Sequence, residues 1–106
     1  MILMGSGYLG ELPLEVVKVT EERRESWIDL YLRLQLRDHT ELPEGAEEIS
    51  AWVICNKERY IVQTVLLLDG CDSAYQFTPQ EKKLIYDYLL DHNWVKGSVE
   101  EEKPSL

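Results

Sequence analysis

The feature that most constrains this chain is a period-two pattern between Ser26 and Asp38, in which aliphatic residues occupy every second position. The alternate positions hold Trp27, Asp29, Tyr31, Arg33, Gln35 and Arg37. A helix cannot use this pattern, because residues two positions apart would spread around its whole circumference. In an extended strand, residues two positions apart lie on the same face, so the aliphatic residues all lie on one side. The alternation therefore predicts a long strand of roughly 36 Å at about 3.3 Å per residue. Its core-facing row is predicted to be Ile28, Leu30, Leu32, Leu34 and Leu36.

Three further segments have the composition of strands. The segment from Leu12 to Thr20 predicts an earlier strand, and the charged residues from Glu21 to Glu25 predict the turn of a hairpin. Two β-rich runs follow, Ile49 to Cys55 and Arg59 to Leu68, joined by a short polar connection. In the first strand, one side is expected to carry Leu14, Val16 and Lys18 and the other Glu15, Val17 and Val19.

The C-terminal third predicts one helix. Asp69-Gly70 is a turn signal that opens a loop reaching Gln76, and Thr78-Pro79-Gln80-Glu81 has the form of a capping box with proline at the first helical position. Apolar residues then recur at spacings of three and four, which predicts an amphipathic helix of about sixteen residues. It is expected to end by Lys96-Gly97.

Together these elements predict an α+β fold. We expect an antiparallel meander of about four strands, with the C-terminal helix packed on one face of the sheet. The expected organisation is a single domain over residues 12–96, an N-terminal segment over 1–11 and an acidic tail over 97–106.

The charge of the chain restricts its partners. Among its 106 residues, 11 are Lys or Arg and 20 are Asp or Glu, so the formal charge is −9. Such a field repels phosphate backbones and anionic lipids and attracts basic proteins. We therefore expect a basic protein partner, with no direct nucleic-acid or membrane binding. The alternative is that the charge serves solubility alone. A cytoplasmic location is expected, since no long apolar run or basic leader is present.

Residues that could carry chemistry are few. The two histidines, His39 and His92, have no metal-ligand spacing, so no metal or other cofactor is expected, and His92 is better placed to cap the helix. Cys55 ends an apolar run and is predicted to lie in the core. Cys71 lies beside Asp69 and Asp72, whose charge would oppose formation of a thiolate. The chain is not expected to be an enzyme, and a Cys71-dependent enzyme is a minority alternative.

The face of the sheet opposite the leucine row is the best candidate for a binding site. Aromatic residues beside charged ones are typical of interface hot spots. The acidic loop from Asp38 to Glu48 is expected to steer a basic partner toward this face. In the alternative interpretation, the sheet curls and the aromatic residues form a second core, by packing on the N-terminal segment Met1 to Leu9 or on each other. The predicted contact residues are Trp27, Asp29, Tyr31, Trp52, Glu44, Glu47 and Glu48.

These expectations favour a small acidic, non-enzymatic protein-binding module. Small size, acidity and the lack of catalytic motifs are shared by toxin-immunity proteins and by phage-encoded inhibitors of bacterial defence nucleases. The preferred hypothesis is therefore an inhibitor of a basic nucleic-acid-handling or toxin protein. The alternative is a homodimeric structural or adaptor protein, which would pair through the long strand of residues 26–38 or through the aromatic face.

Overall fold

The computed structural model describes residues 2–3, 7–8, 11–37, 42 and 45–99. The chain forms nine strands and one helix in the described part. The strands are β1 (Ile2–Leu3), β2 (Gly7–Tyr8), β3 (Leu14–Arg23), β4 (Ile28–Leu36), β5 (Ile49–Cys55), β6 (Tyr60–Leu68), β7 (Cys71–Asp72), β8 (Tyr75–Gln76) and β9 (Gly97–Ser98), and the helix is α1 (Pro79–Asp91).

The predicted α+β meander is confirmed, with more strands than expected. The main sheet has the order β3-β4-β5-β6-β7 with antiparallel neighbours, and β9 pairs with β6 in parallel. A second, three-stranded sheet has the order β2-β1-β8. Strand pairing thus reaches into the 1–11 segment and into the first two residues of the predicted tail, while residues 100–106 lie outside the described part.

The alternation in β4 places its residues on the two faces as predicted. Leu30 and Leu32 are completely buried, and they pack in one core with Ile85 and Leu89 of α1. The core also includes Cys55, as the sequence predicts. The helix therefore covers the leucine side of the sheet, and the odd-numbered residues of β4 lie on the opposite side.

A β-bulge in β3 makes the predicted facing pattern wrong for Lys18 and Val19. The register with β4 shifts between Val16 and Lys18, so Val17 has no cross-strand partner and is 49% exposed. One extra residue reverses the facing of every residue after it. Val19 therefore packs against the core, and Lys18 lies on the face away from the helix.

The first hairpin is longer than predicted. β3 continues to Arg23, and the turn consists of Glu25 and Ser26, flanked by backbone hydrogen bonds between Arg24 and Trp27. Glu21 was expected in the turn but lies within the strand, where its carboxylate accepts hydrogen bonds of 2.8 and 3.2 Å from Arg59. This ion pair lowers the pKa of Glu21 and joins β3 to the β5–β6 hairpin.

The later turns follow the sequence signals. Asp69 and Gly70 both have positive φ, and Leu68 pairs with Cys71, as in a type I′ hairpin. The segment from Asp69 to Gln76, predicted as a loop, therefore contains the turn of the β6–β7 hairpin, then β7 and β8.

The helix begins where the sequence predicts and ends earlier than predicted. Thr78 accepts a hydrogen bond from the Glu81 backbone, and the Glu81 side chain accepts one from the Thr78 backbone, which completes the capping box. The helix has 13 residues because Asn93 adopts positive φ, and the Trp94 N–H donates to the Leu89 carbonyl in a Schellman motif.

Candidate functional site: the outer face of the main sheet

The side of the main sheet away from α1 is called the outer face here. The strand register places its residues in three rows. The central row is Thr20, Tyr31, Trp52 and Val65; the row toward the β3–β4 turn is Glu22, Asp29, Ile54 and Gln63; and the third row is Lys18, Arg33, Ser50 and Leu67.

A stacked aromatic pair lies at the centre of the outer face. The rings of Tyr31 and Trp52 are nearly parallel, at 10°, with centroids 6.1 Å apart. Both residues are half-buried, while Thr20, Arg33 and Gln63 around them are exposed. Since each of the three rows has an exposed residue, no described element covers the whole outer face. The contact between the two rings is the one that the alternative interpretation expects if the aromatic residues pack on each other.

An ion pair between half-exposed Arg24 and buried Asp29 lies beside the stack. The Arg24 side chain donates two hydrogen bonds to Asp29, from Nε to Oδ2 at 2.5 Å and from Nη2 to Oδ1 at 2.7 Å. Asp29 is only 2% exposed, so its carboxylate is held by Arg24 and is out of reach of a partner. The arginine lowers the pKa of Asp29 against the opposing effect of burial. Burial, with Asp29 as a nearby negative charge, raises the pKa of Tyr31.

The indole N–H of Trp52 lies next to this ion pair. It contributes to lowering the pKa of Asp29, yet Nε1 is buried and its geometry forms no hydrogen bond with a described residue. The negative charge of Asp29 is thus stabilised mainly by Arg24. Among the described residues, stacking on Tyr31 rather than a hydrogen bond is the contact that holds the indole ring.

The acidic loop meets the outer face through Arg33. The Arg33 guanidinium lies 3.2 Å from the Glu48 carboxylate, and both side chains are largely exposed. The backbone N–H groups of Glu47 and Glu48 both donate to Asp69 Oδ1 at 2.9 Å, which fixes this end of the loop beside the β6–β7 turn. Glu47 and Glu48 therefore lie at the rim of the outer face, and Glu44 falls outside the described residues.

A groove adjoins the stack on the side of β6. It has a volume of about 480 Å³ and runs from Trp52 along β6 to the segment 72–77. Val65 and Tyr75 contribute apolar surface, and Asp72 and Lys82 contribute opposite charges. The groove extends from the aromatic centre to Asp72. Asp72, Glu47 and Glu48 together are called the acidic rim of the outer face.

Of the predicted contact residues, the structure brings together Asp29, Tyr31 and Trp52. Trp27 lies beside the β3–β4 turn and is 38% exposed. Sequence reasoning missed Arg24, which it assigned to a charged turn. Only the hairpin register, which places residue 24 on the same face as Asp29, reveals that role.

The other candidate residues lie apart from the outer face centre. Cys71 is a free, exposed thiol in β7, and Cys55 is a free thiol whose pKa burial raises to about 11. His92 caps the helix, with Nδ1 at 2.9 Å from the Tyr88 carbonyl oxygen, as predicted. His39 falls outside the described residues. In the described part of the chain, no cluster of three His, Cys, Asp or Glu side chains could hold a metal ion.

The long strand is unavailable for pairing with a second copy. β4 lies between β3 and β5 and is hydrogen-bonded along both edges. The form of the homodimer hypothesis in which residues 26–38 pair with themselves is therefore wrong. Edge-to-edge pairing of two copies would have to use another strand.

No protein-family model, curated protein or solved structure matches this chain. Within the described residues, no helix is both long enough and apolar enough to cross a membrane.

Proposed function

We propose that this protein is a non-enzymatic binding module of the cytoplasm that docks its outer face on a basic surface of a partner protein. The observation that carries the proposal is the Tyr31–Trp52 stack, half-buried at the centre of a sheet face that no described element covers completely. Tyrosine and tryptophan are enriched among the residues that dominate binding energy, because they bury a large area with little loss of side-chain entropy. Free cysteines agree with a reducing compartment.

Charge supports a basic partner. Arg24 and Arg33 on the outer face are already paired with Asp29 and Glu48. The exposed carboxylates of Glu22, Glu47 and Asp72 form no ion pair with a described residue. These groups, with the charge of −9 for the whole chain, would accelerate encounter with a positive surface.

A basic partner narrows the class of function. Proteins that handle nucleic acids carry basic clefts, and a compact acidic domain seated on such a cleft would block it. We therefore favour an inhibitor of a nucleic-acid-handling or toxin protein, of the immunity or anti-defence type. The aromatic pair of the outer face would provide most of the binding free energy, and the carboxylates of the acidic rim would increase the rate of association.

The test compares three baits in host-cell lysate: the wild-type protein, Trp52→Ala and the control Leu90→Ala. Leu90 is 37% exposed on α1, on the other side of the sheet, so its truncation removes a similar exposed apolar group away from the outer face. We expect a basic protein to be recovered by the wild type and Leu90→Ala and lost with Trp52→Ala. With that protein purified, titration should show about 30-fold weaker binding for Trp52→Ala, which corresponds to a hot spot of about 2 kcal/mol.

Two results would overturn the proposal. One is recovery of the same proteins by all three baits. The other is a partner whose binding is weakened by Leu90→Ala and unaffected by Trp52→Ala, because the docking surface would then include the helix.

A further inference from the structure

Within the described part of the chain, the edge of the main sheet formed by β3 is open. Among the described strands, β3 has a hydrogen-bonded neighbour only in β4. The bulge at Val17 interrupts the first part of this edge, and the straight part that follows runs from Lys18 to Arg23. A strand edge with unpaired N–H and C=O groups can pair with another strand.

Like charges lie side by side at both ends of this straight part. On the outer face, Lys18 is the cross-strand neighbour of Arg33, and Glu22 is the neighbour of Asp29. Like charges directly opposite each other destabilise a sheet. Arg33 and Asp29 have partners in Glu48 and Arg24, whereas Lys18 and Glu22 have no ion pair with a described residue.

The spacing of these two charges suits a two-fold axis. In an antiparallel pair of identical strands centred on Thr20, position 18 of each copy lies opposite position 22 of the other. Lys18 then meets Glu22 twice, once on each side of the axis. A centre at Val19 places Lys18 opposite Thr20, and a centre at Glu21 places Glu22 opposite Thr20. Both shifts lose the two contacts between Lys18 and Glu22. A centre at Glu22 would pair Glu21 with Arg23 on the other face, but it would also place the two Glu22 side chains opposite each other. Within the straight part, the register centred on Thr20 is therefore the one that pairs opposite charges without opposing like ones.

We propose that two copies of this chain associate by antiparallel pairing of their β3 edges around Thr20, with Lys18 of each copy opposite Glu22 of the other. The two main sheets then form one continuous sheet. The two aromatic stacks lie in a single row across it, because Thr20 belongs to the same row as Tyr31 and Trp52. This inference does not depend on the proposed function, since dimerisation leaves both outer faces open.

Charge reversal tests the register. Lys18→Glu changes the chain charge from −9 to −11, and Glu22→Lys changes it from −9 to −7. Both substitutions remove a like-charge neighbour within the chain, so neither is expected to weaken the fold. We expect sedimentation equilibrium to show the wild type as a dimer, and each single variant to dimerise at least about tenfold more weakly. The double variant, again at −9, should recover wild-type affinity.

The contrary outcomes are specific. If net charge alone governed association, Glu22→Lys would dimerise more tightly than the wild type and Lys18→Glu less tightly, and the register would be wrong. A wild-type protein that remains monomeric at high micromolar concentration would also overturn the inference.

Cross-linking gives an independent measurement. In a Cys71→Ser background, which removes the exposed native thiol, Thr20→Cys places two thiols directly opposite each other at the axis. A short bismaleimide should convert this variant to a covalent dimer. Glu15→Cys is the matched control, because Glu15 is exposed on the same strand but lies five residues from the axis. Equal cross-linking of the two variants would contradict the proposed pairing.

Discussion

At the residue scale, the Arg24–Asp29 pair links an exposed side chain to a buried one. Arg24 is about half exposed, whereas the Asp29 side chain is almost completely buried. A buried carboxylate costs free energy unless it is paired. The pairing ties the β3–β4 turn to β4 at a point next to the indole N–H of Trp52. Asp29, predicted as a binding residue, is therefore assigned a positioning role.

This pair predicts a component of acid sensitivity. Hydrogen bonding by Arg24 holds the pKa of Asp29 below its usual value, so the stabilisation is complete above the unfolded-state pKa of about 3.9 and is lost as pH falls through the lower folded-state pKa. We expect urea denaturation to show a smaller loss of stability from pH 6 to pH 2.5 in Asp29→Asn than in the wild type. The control is Asp87→Asn, which removes an exposed pair with Lys83. An equal loss in Asp29→Asn and the wild type would contradict the assignment.

At the element scale, period-two patterning predicts strands and their faces wherever the strand is regular. It places the whole of β4 correctly because β4 itself is regular, paired with β3 from Ile28 to Leu36 and with β5 from Ile28 to Leu34. It fails in β3 because nothing in the residues around Val17 indicates a bulge. The capping box predicts the helix start, since its contacts are local. Contacts between residues distant in sequence, such as Glu81 Oε2 accepting from the Leu12 N–H at 2.6 Å, depend on the assembled fold.

The two faces of the sheet should respond differently to truncation. Leu32 is completely buried between the sheet and α1, and Leu32→Ala should lower the free energy of unfolding by roughly 2 to 5 kcal/mol. Trp52 lies on the outer face and is half-buried, so Trp52→Ala should cost less and leave a cooperative fold. Urea denaturation followed by circular dichroism measures both. If Trp52→Ala destabilised the protein as much as Leu32→Ala, the aromatic pair would be a second core and the docking surface would move to the acidic rim.

At the scale of the whole molecule, a charge of −9 on 106 residues opposes compaction. The described exposed ion pairs, Arg33–Glu48 and Lys83–Asp87 among them, contribute little individually and are weakened by salt. Repulsion among the excess carboxylates acts over about 10 Å at 0.1 M salt and is also screened. Since the carboxylates outnumber the basic groups by nine, the relief of repulsion should exceed the loss of the few pairs.

The protein should therefore become more stable as salt is added. We expect the melting temperature to rise between 10 mM and 300 mM NaCl, at a protein concentration low enough to keep the chain monomeric. Glu47→Lys, which reduces the charge to −7 at an exposed position without a described ion pair, should raise the melting temperature at 10 mM NaCl and show a smaller response to salt. Glu47→Gln should have about half the effect. A melting temperature that falls with salt would mean that specific ion pairs outweigh the net charge, and the acidic rim would then have to be regarded as part of the fold rather than as a surface free to attract a basic partner.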